Sequence, residues 1–288
     1  MFEKGLSIII PAFNEEKGIA QTIQSIQDAM AESAISHELI VVDDGSIDST
    51  AEIVKSLQGV KLLRNIHNRG YGASLMRGIR DANYENISIT DADGTYPNNR
   101  IPEFAALLTD DVDMVVGWRK GPSAKIPLVR RPAKWVINKI AETLAGYRIP
   151  DLNSGFRIFR KQIIMKNEHV LPAGFSFTTT ITLLIASGGG CILYEPISYS
   201  HRTGQSKFHP IKDTWGMITL IVRSILLFSP LRFFVPVAML SFLCAIIVLI
   251  VSLLWMERIP DGTITILTVT GFQILAMGLL ADLINRRL

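Results

Sequence analysis

Hydrophobic positions in this chain fall into two regimes. Over the first 120 residues they come in short runs rich in β-branched residues, 6–10, 39–42, 60–63, 87–90 and 114–116, each closed by a polar or glycine-containing turn. Such runs suit strands covered on both faces, as in a parallel sheet. The intervals 17–30, 49–57, 71–80 and 101–108 carry apolar residues at helical spacing. Strand alternating with helix predicts a doubly wound α/β sheet, whose ligands bind beyond the carboxyl ends of the strands.

Toward the other end the pattern changes. No charge interrupts Phe233–Trp255, and none interrupts 263–281; each run is long enough to cross a hydrocarbon core of about 30 Å as a helix. Only residues 256–262 separate them, so the spans form a hairpin with both ends on one side. Arg223 and Arg232 precede it and Arg286 and Arg287 follow it, while its tip balances Arg258 with Glu257 and Asp261. The positive-inside rule then puts the body of the protein in the cytoplasm. Residues 6–12 are apolar but are stopped by Asn14, Glu15 and Glu16, too soon for a signal peptide. Residues 217–228, apolar except for Arg223, suit a helix lying in the membrane interface. The expected organisation is a cytoplasmic domain over 1–210, an amphipathic interfacial segment over 211–232 and a transmembrane hairpin over 233–288. Gly271 and Gly278 offer small residues for association of copies, without Gly-x-x-x-Gly spacing.

Composition agrees with this division. The chain is 48% hydrophobic and 19% charged, against about 25% charged for a soluble domain, and the excess hydrophobicity sits in the tail. Net charge is +3 over the whole chain, −1 over residues 1–201 and +4 over residues 202–232. The basic strip therefore abuts the bilayer, where each Lys or Arg near anionic headgroups contributes about 1 kcal/mol. So modest a total disfavours a protein that wraps bare nucleic acid. Cys191 and Cys244 form neither a disulfide framework nor a metal-ligand pattern, which points to a reducing compartment.

The polar residues worth reading stand just after the strands. Pro11-Ala12-Phe13-Asn14-Glu15-Glu16 follows the first, and Asp43-Asp44-Gly45-Ser46 the second, with Asp48, Ser49 and Thr50 able to cap the next helix. Asp91-Ala92-Asp93-Gly94 follows the fourth. Two carboxylates one residue apart in a turn can converge on one hard cation, with a diphosphate supplying further oxygens. The plainer reading, a turn and a cap, loses ground because three strand ends are acidic together. Gly70-x-Gly72 is half of a dinucleotide fingerprint, but Leu75 stands where the third glycine belongs, which weakens hydride transfer. Arg130, Arg131, Lys134 and Lys139 form either a solvated helix face or a receiver for a lipid phosphate, with Arg131 the bidentate partner. Asp151 reads equally as a group that orients or deprotonates an acceptor, as a cap, or as a partner for Arg157. His201 and His209 have no zinc spacing.

Together these residues resemble a known family. Residues 7–16, Val41-Val42-Asp43-Asp44-Gly45-Ser46 and Asp91-Ala92-Asp93 resemble the family 2 glycosyltransferases with the nucleotide-sugar-binding, GT-A type fold. More narrowly, Gly117-Trp118-Arg119, Asp151-Leu152-Asn153-Ser154-Gly155-Phe156-Arg157 and Arg202-Thr203-Gly204-Gln205-Ser206-Lys207 resemble the polyprenyl-phosphate glycosyltransferases of the dolichol-phosphate mannose synthase type. The resemblance implies inverting transfer of a hexose from a GDP-mannose- or UDP-glucose-type donor to dolichyl or undecaprenyl phosphate. It implies that Pro11, Phe13, Glu15, Val42 and Asp44 hold the base and ribose. Asp91, Ala92 and Asp93 would meet the diphosphate and its Mg2+ or Mn2+. Arg119, Arg202 and Lys207 would lie near the phosphates of donor and acceptor, and Asp93, Asp151 and Arg119 are the catalytic candidates. Three departures stand out: Thr95 replaces a Gln near the metal, Phe13 replaces a Tyr, and the 202–207 interval is one residue shorter. Two rival readings are a processive polysaccharide synthase and a non-catalytic membrane scaffold. The first typically carries Gln-x-x-Arg-Trp, a context that Lys134-Trp135 lacks, and more spans than two. The second has no need of Asp91 and Asp93.

Overall fold

The computed structural model of the chain describes residues 5–120, 142, 148–174, 177–199, 226, 230–255 and 260–285. Arg131, Arg202, Lys207 and most of the expected interfacial segment 211–232 lie outside them. The chain divides into two units, Met1–Met217 and Ile218–Leu288.

The first unit is built on seven strands, β1 (Leu6–Ala12), β2 (His37–Asp43), β3 (Val60–Arg64), β4 (Asn86–Ile89), β5 (Met114–Lys120), β6 (Arg157–Arg160) and β7 (Ile192–Ser198). They form one sheet in the order β3-β2-β1-β4-β6-β5-β7. Every residue of β1 is buried, and it lies parallel to β2 on one side and β4 on the other, with Ala12 opposite Asp43 and Ile9 opposite Ile89. Among the described residues, helices α1 (Ile19–Ala31), α2 (Thr50–Ser56), α3 (Tyr71–Asp81), α4 (Ile101–Leu107), α5 (Lys161–Lys166) and α6 (Phe177–Ser187) cover the sheet. The period-two alternation of β1 sorts them. Ile8 and Ile10 join a core with Ile23 of α1, Val54 of α2 and Phe104 of α4, whereas Ile9 joins Leu75 and Ile79 of α3, Ile164 of α5 and Phe177 of α6. Each such side chain, fully buried, stabilises the sheet by about 1.5–3 kcal/mol. Helix α3 approaches β1 so closely that a Cβ on Gly78 would lie 2.6 Å from Ile9 Cγ2.

The five runs read from the sequence correspond to β1–β5. Two further strands, β6 and β7, make the sheet mixed rather than parallel, because β6 runs antiparallel to both β4 and β5. Their sequences conceal them. β6 opens on Arg157, a charge that is fully buried. Its guanidinium donates to the carbonyls of Ser154 and Thr178, each at 2.9 Å, and to Thr182 Oγ1 at 3.0 Å. Burial lowers its pKa from the ordinary arginine value, and the ring of oxygens carries the charge in place of water. β7 holds Glu195 and Pro196, which an edge strand tolerates.

The second unit is a pair of helices, α7 (Pro230–Trp255) and α8 (Asp261–Asn285). They contain apolar spans of 23 and 24 residues, about 35 Å each at 1.5 Å per residue. Large apolar side chains such as Leu240, Ile247, Leu254, Leu280 and Ile284 stay exposed, as lipid-facing residues do on helices without a polar stripe. Ser241 Oγ donates to the carbonyl of Leu267 at 2.7 Å across the pair. Phe242 and Phe272 meet edge to face with centroids 5.1 Å apart. Gly271 and Gly278 face Phe242 and Phe234, where a Cβ would come within 2.6 Å. The small residues that the sequence offers for self-association are used inside the hairpin.

Arg157→Leu would leave the buried carbonyl of Ser154 without its donor and take a charged donor from that of Thr178, which keeps only the hydroxyl of Thr182 among its side-chain donors, a cost of about 3 kcal/mol or more. For a domain of this size that lowers the melting midpoint by about 6 °C or more, measurable by tryptophan fluorescence in detergent; an unchanged midpoint contradicts the structural role given to Arg157.

Candidate active site

The loop after β1 is fastened to the loop after β2. Asn14 adopts a left-handed conformation at φ 54°, which Asn accepts more readily than most residues. Its amide N–H donates to Ser46 Oγ at 2.9 Å, and its Oδ1 accepts from the N–H of Ile47 at 3.0 Å. The N–H of Glu15 donates to Thr50 Oγ1 at 2.9 Å and that of Glu16 to Asp48 Oδ2 at 3.2 Å. Asp48 and Thr50, read from sequence with Ser49 as able to cap α2, tie two loops together instead; Ser49 holds the cap position, and its side chain makes no capping hydrogen bond. Pro11 and Val42 stand opposite each other in the β1–β2 ladder, and Phe13 is half-buried beside them in the chain.

The adjacent aspartates at the end of β2 divide their work. Asp43 pairs with Arg64 Nε at 3.0 Å and accepts from the N–H of Ser46 at 3.0 Å. Asp44 is 4% exposed. It accepts from Asn65 Nδ2 at 2.7 Å and from the backbone N–H groups of Arg69 at 3.0 Å and Gly70 at 2.8 Å. Gly70 sits at φ 98°, a conformation that favours glycine and turns the chain into α3.

Beyond β4 the chain presents its second acidic pair. Ala92 is buried, and its carbonyl accepts from Thr22 Oγ1 at 3.0 Å. Asp93 Oδ1 accepts from both the hydroxyl of Thr95, at 2.6 Å, and its N–H, at 3.2 Å. The threonine that replaces the family's glutamine thus holds a carboxylate. Asp91 Oδ1 accepts from the hydroxyl of Tyr71 at 3.1 Å, and Gly155 lies against the same carboxylate, where a Cβ would be 2.8 Å from Oδ1. The N–H of Gly155 donates to the hydroxyl of Tyr96 at 2.8 Å. Burial, with the negative charge of Asp91 added to it, raises the pKa of Tyr71 and of Tyr96, so both remain protonated donors.

At the end of β5, Arg119 makes a two-pronged ion pair with Asp151, Nε to Oδ2 at 2.7 Å and Nη2 to Oδ1 at 2.8 Å. Its guanidinium also lies 5.4 Å from the centroid of Tyr199. Burial works against the charge on Arg119, but the hydrogen bonds that it donates to Asp151, with the charge of that carboxylate, outweigh it and hold the pKa above the ordinary arginine value. The sequence offers Arg157 as a partner for Asp151; the structure instead pairs Asp151 with Arg119 and surrounds Arg157 with the oxygens of Ser154, Thr178 and Thr182. Asn153, two residues on, donates its N–H to Asp151 at 3.2 Å and accepts from Thr179 Oγ1 at 2.6 Å.

Asp91 and Asp93 supply oxygen donors of the kind that a hard divalent cation takes. Among the described residues no three His, Cys, Asp or Glu side chains converge as a closed cage. Two carboxylates at a strand end would leave coordination positions for diphosphate oxygens and water, the shell that Mg2+ or Mn2+ takes when shared with a phosphate. Sequence reasoning passed over Tyr71, Tyr96 and Thr179, and quoted Gly155 only as part of a motif. The one available signal was the pair of glycines flanking Tyr71.

Comparison with known proteins gives the family and the fold. Residues 7–167 match the family described as Glycosyl transferase family 2, and residues 229–286 match the GtrB C-terminal hairpin. The chain is 27% identical to an undecaprenyl-phosphate 4-deoxy-4-formamido-L-arabinose transferase of Aeromonas hydrophila, over 98% of its own length and 89% of the relative's. It is 28% identical to a dolichyl-phosphate hexose transferase of Haloferax volcanii, over 71% and 87% of the two chains. Among solved structures, glucosyl-3-phosphoglycerate synthase of Mycobacterium tuberculosis, in complex with Mn2+, UDP-glucose and phosphoglyceric acid, superposes with a TM-score of 0.61 at 18% identity, covering 77% of this chain and 80% of that one. That likeness establishes the GT-A type fold. The chain belongs to glycosyltransferase family 2 and joins that family's enzymatic domain to a membrane-anchoring hairpin.

Proposed function

We propose that the protein is an inverting glycosyltransferase that moves a hexose from a nucleotide sugar, of the GDP-mannose or UDP-glucose type, to a polyprenyl phosphate, dolichyl or undecaprenyl. The observation that carries this reading is the paired carboxylates Asp91 and Asp93 at the end of β4, in a chain that ends in two long apolar helices. The activities of the Aeromonas and Haloferax relatives, both polyprenyl-phosphate sugar transferases, support the general reaction, and that of the Haloferax relative supports a hexose. A scaffold has no use for such a carboxylate pair, and a processive synthase has no evident channel in two spans.

On this reading Pro11, Phe13, Glu15, Val42 and Asp44 border the base and ribose. Asp91 and Asp93 would hold Mg2+ or Mn2+, which when bound supplies Lewis-acid stabilisation of the departing diphosphate. Asp93 is kept in place by Thr95, and Asp91 by Tyr71. Arg119 faces the phosphates with a permanent charge, and Asp151, both oxygens engaged by that guanidinium, serves as its holder rather than as a base. The acceptor needs no base, because a lipid phosphate is already an anion at neutral pH. One of its oxygens attacks the anomeric carbon while the bond from that carbon to the donor diphosphate breaks. The electron pair leaves with the nucleoside diphosphate, and an α-linked donor gives a β-linked lipid phosphate. Positioning is then the larger part of the rate enhancement. Arg131, Arg202 and Lys207 are proposed to receive the acceptor phosphate.

Purified full-length protein, given Mn2+, a panel of radiolabelled UDP- and GDP-sugars and a short polyprenyl phosphate, should form an acid-labile lipid-linked sugar with one donor. Asp93→Asn should lower kcat at least about 10²-fold, the scale of losing one preorganised electrostatic contact to the transition state. No lipid-linked product from any donor would remove the transferase reading. In the same assay Arg131→Ala should raise KM for the polyprenyl phosphate and leave KM for the donor unchanged, whereas Arg202→Ala should raise both; a rise in the donor KM alone for Arg131→Ala would move that arginine to the donor side. The arginines flanking the hairpin support a cytoplasmic enzymatic domain. A phosphatase fused to the C-terminus should accordingly be inactive in cells, and an active fusion would invert the topology.

A further inference from the structure

Tyr71 opens α3, in a segment that reads from sequence only as an incomplete dinucleotide fingerprint. The structure fastens that segment at both ends. Upstream, the N–H groups of Arg69 and Gly70 are fixed on the buried carboxylate of Asp44. Downstream, the N–H of Ala73 donates to the carbonyl of Ala173 at 2.9 Å. Between these fixtures the Tyr71 ring packs on the core formed by Leu75, Ile79 and Phe177, and its hydroxyl reaches Asp91 Oδ1 at 3.1 Å. Gly155 also lies against that carboxylate, since a Cβ there would stand 2.8 Å from Oδ1 and 3.0 Å from Oδ2.

Asp91 is therefore bonded to a phenol and packed against a glycine, with its orientation set before any ligand arrives. A carboxylate that must share one cation with Asp93 loses affinity when it turns away, and hydrogen-bonded partners outside the ligand shell commonly govern 10–100-fold in metal affinity. We propose that Tyr71 is a positioning residue for the divalent-cation site: its hydroxyl holds Asp91 in the orientation that the cation and the donor diphosphate require. The fixture of Arg69 and Gly70 on Asp44 makes this more than a local contact, because one short segment then spans from the base-side carboxylate to the metal-side carboxylate. The proposal rests on the reading that Asp91 and Asp93 hold the cation.

The test uses full-length wild type, Tyr71→Phe and Asp91→Asn in detergent micelles. Free Mn2+ is read by electron paramagnetic resonance in the presence of UDP and, separately, GDP, and nucleotide affinity is measured again in EDTA. Tyr71→Phe should bind Mn2+ about ten- to a hundredfold more weakly, raise KM for Mn2+ in parallel, and leave both metal-free nucleotide affinity and kcat at saturating Mn2+ close to wild type. Wild-type Mn2+ affinity in Tyr71→Phe, with affinity lost in Asp91→Asn, overturns the proposal and leaves the metal site standing. Parallel loss of metal-free nucleotide binding in Tyr71→Phe also overturns it, since the tyrosine then supports the fold of the whole site. Unimpaired Mn2+ binding by Asp91→Asn, or none by wild type with either nucleotide, overturns both the proposal and the metal reading.

Discussion

The parallel register of β1 between β2 and β4 is the constraint on which the site depends. With Ala12 opposite Asp43 and Ile9 opposite Ile89, three chain segments leave the sheet at one edge and in one direction. The nonpolar side chains that enforce this register are buried on both faces, and a slip by one residue would exchange the two cores. Packing far from any polar group thus determines that the loops bearing Asp44, Asp91 and Asp93 emerge together.

What the register brings together, buried polar contacts hold still. Asp43 with Arg64, Asp44 with two backbone N–H groups, Asp151 with Arg119, and Arg157 with its carbonyls each take a charge out of water and return it to a fixed partner. Such contacts contribute less to net stability than their geometry suggests, because desolvation offsets much of the attraction. Their value lies in orientation. A site whose dipoles and charges are already aimed needs little rearrangement when negative charge develops on a leaving diphosphate. The antiparallel strand β6 has a part in this, since the loop leading into it delivers Asp151, Asn153 and Gly155 beside the edge occupied by Asp91.

The strand and helix pattern of the first 120 residues, the two spans and the acidic strand ends were legible because each is written in local periodicity or composition. β6 and β7 were not, since their burial is decided by partners distant in sequence. Arg157 looks like a surface charge until the carbonyls of Ser154 and Thr178 surround it, and Pro196 reads as a breaker until β7 is placed at an edge. The pairing of Asp151 with Arg119 rather than Arg157, and the bond from Tyr71 to Asp91, also join residues 32 and 20 positions apart. No spacing rule encodes them. Thr95 is the instructive intermediate: its departure from the family pattern was visible, but its hold on Asp93 came only with coordinates.

A membrane-bound acceptor gives the hairpin a physical purpose on the proposed reading, because anchoring enzyme and lipid in one bilayer raises their effective concentration without any further contact. The chemistry, however, stands or falls with the carboxylates after β4. Crystals of the protein grown with Mn2+ and a nucleoside diphosphate, measured at the manganese absorption edge, locate the ion directly. The account predicts one anomalous peak bound by Asp91 and Asp93 and by oxygens of the diphosphate. A nucleotide bound in the cleft with the manganese ligated elsewhere, away from both aspartates, would contradict it.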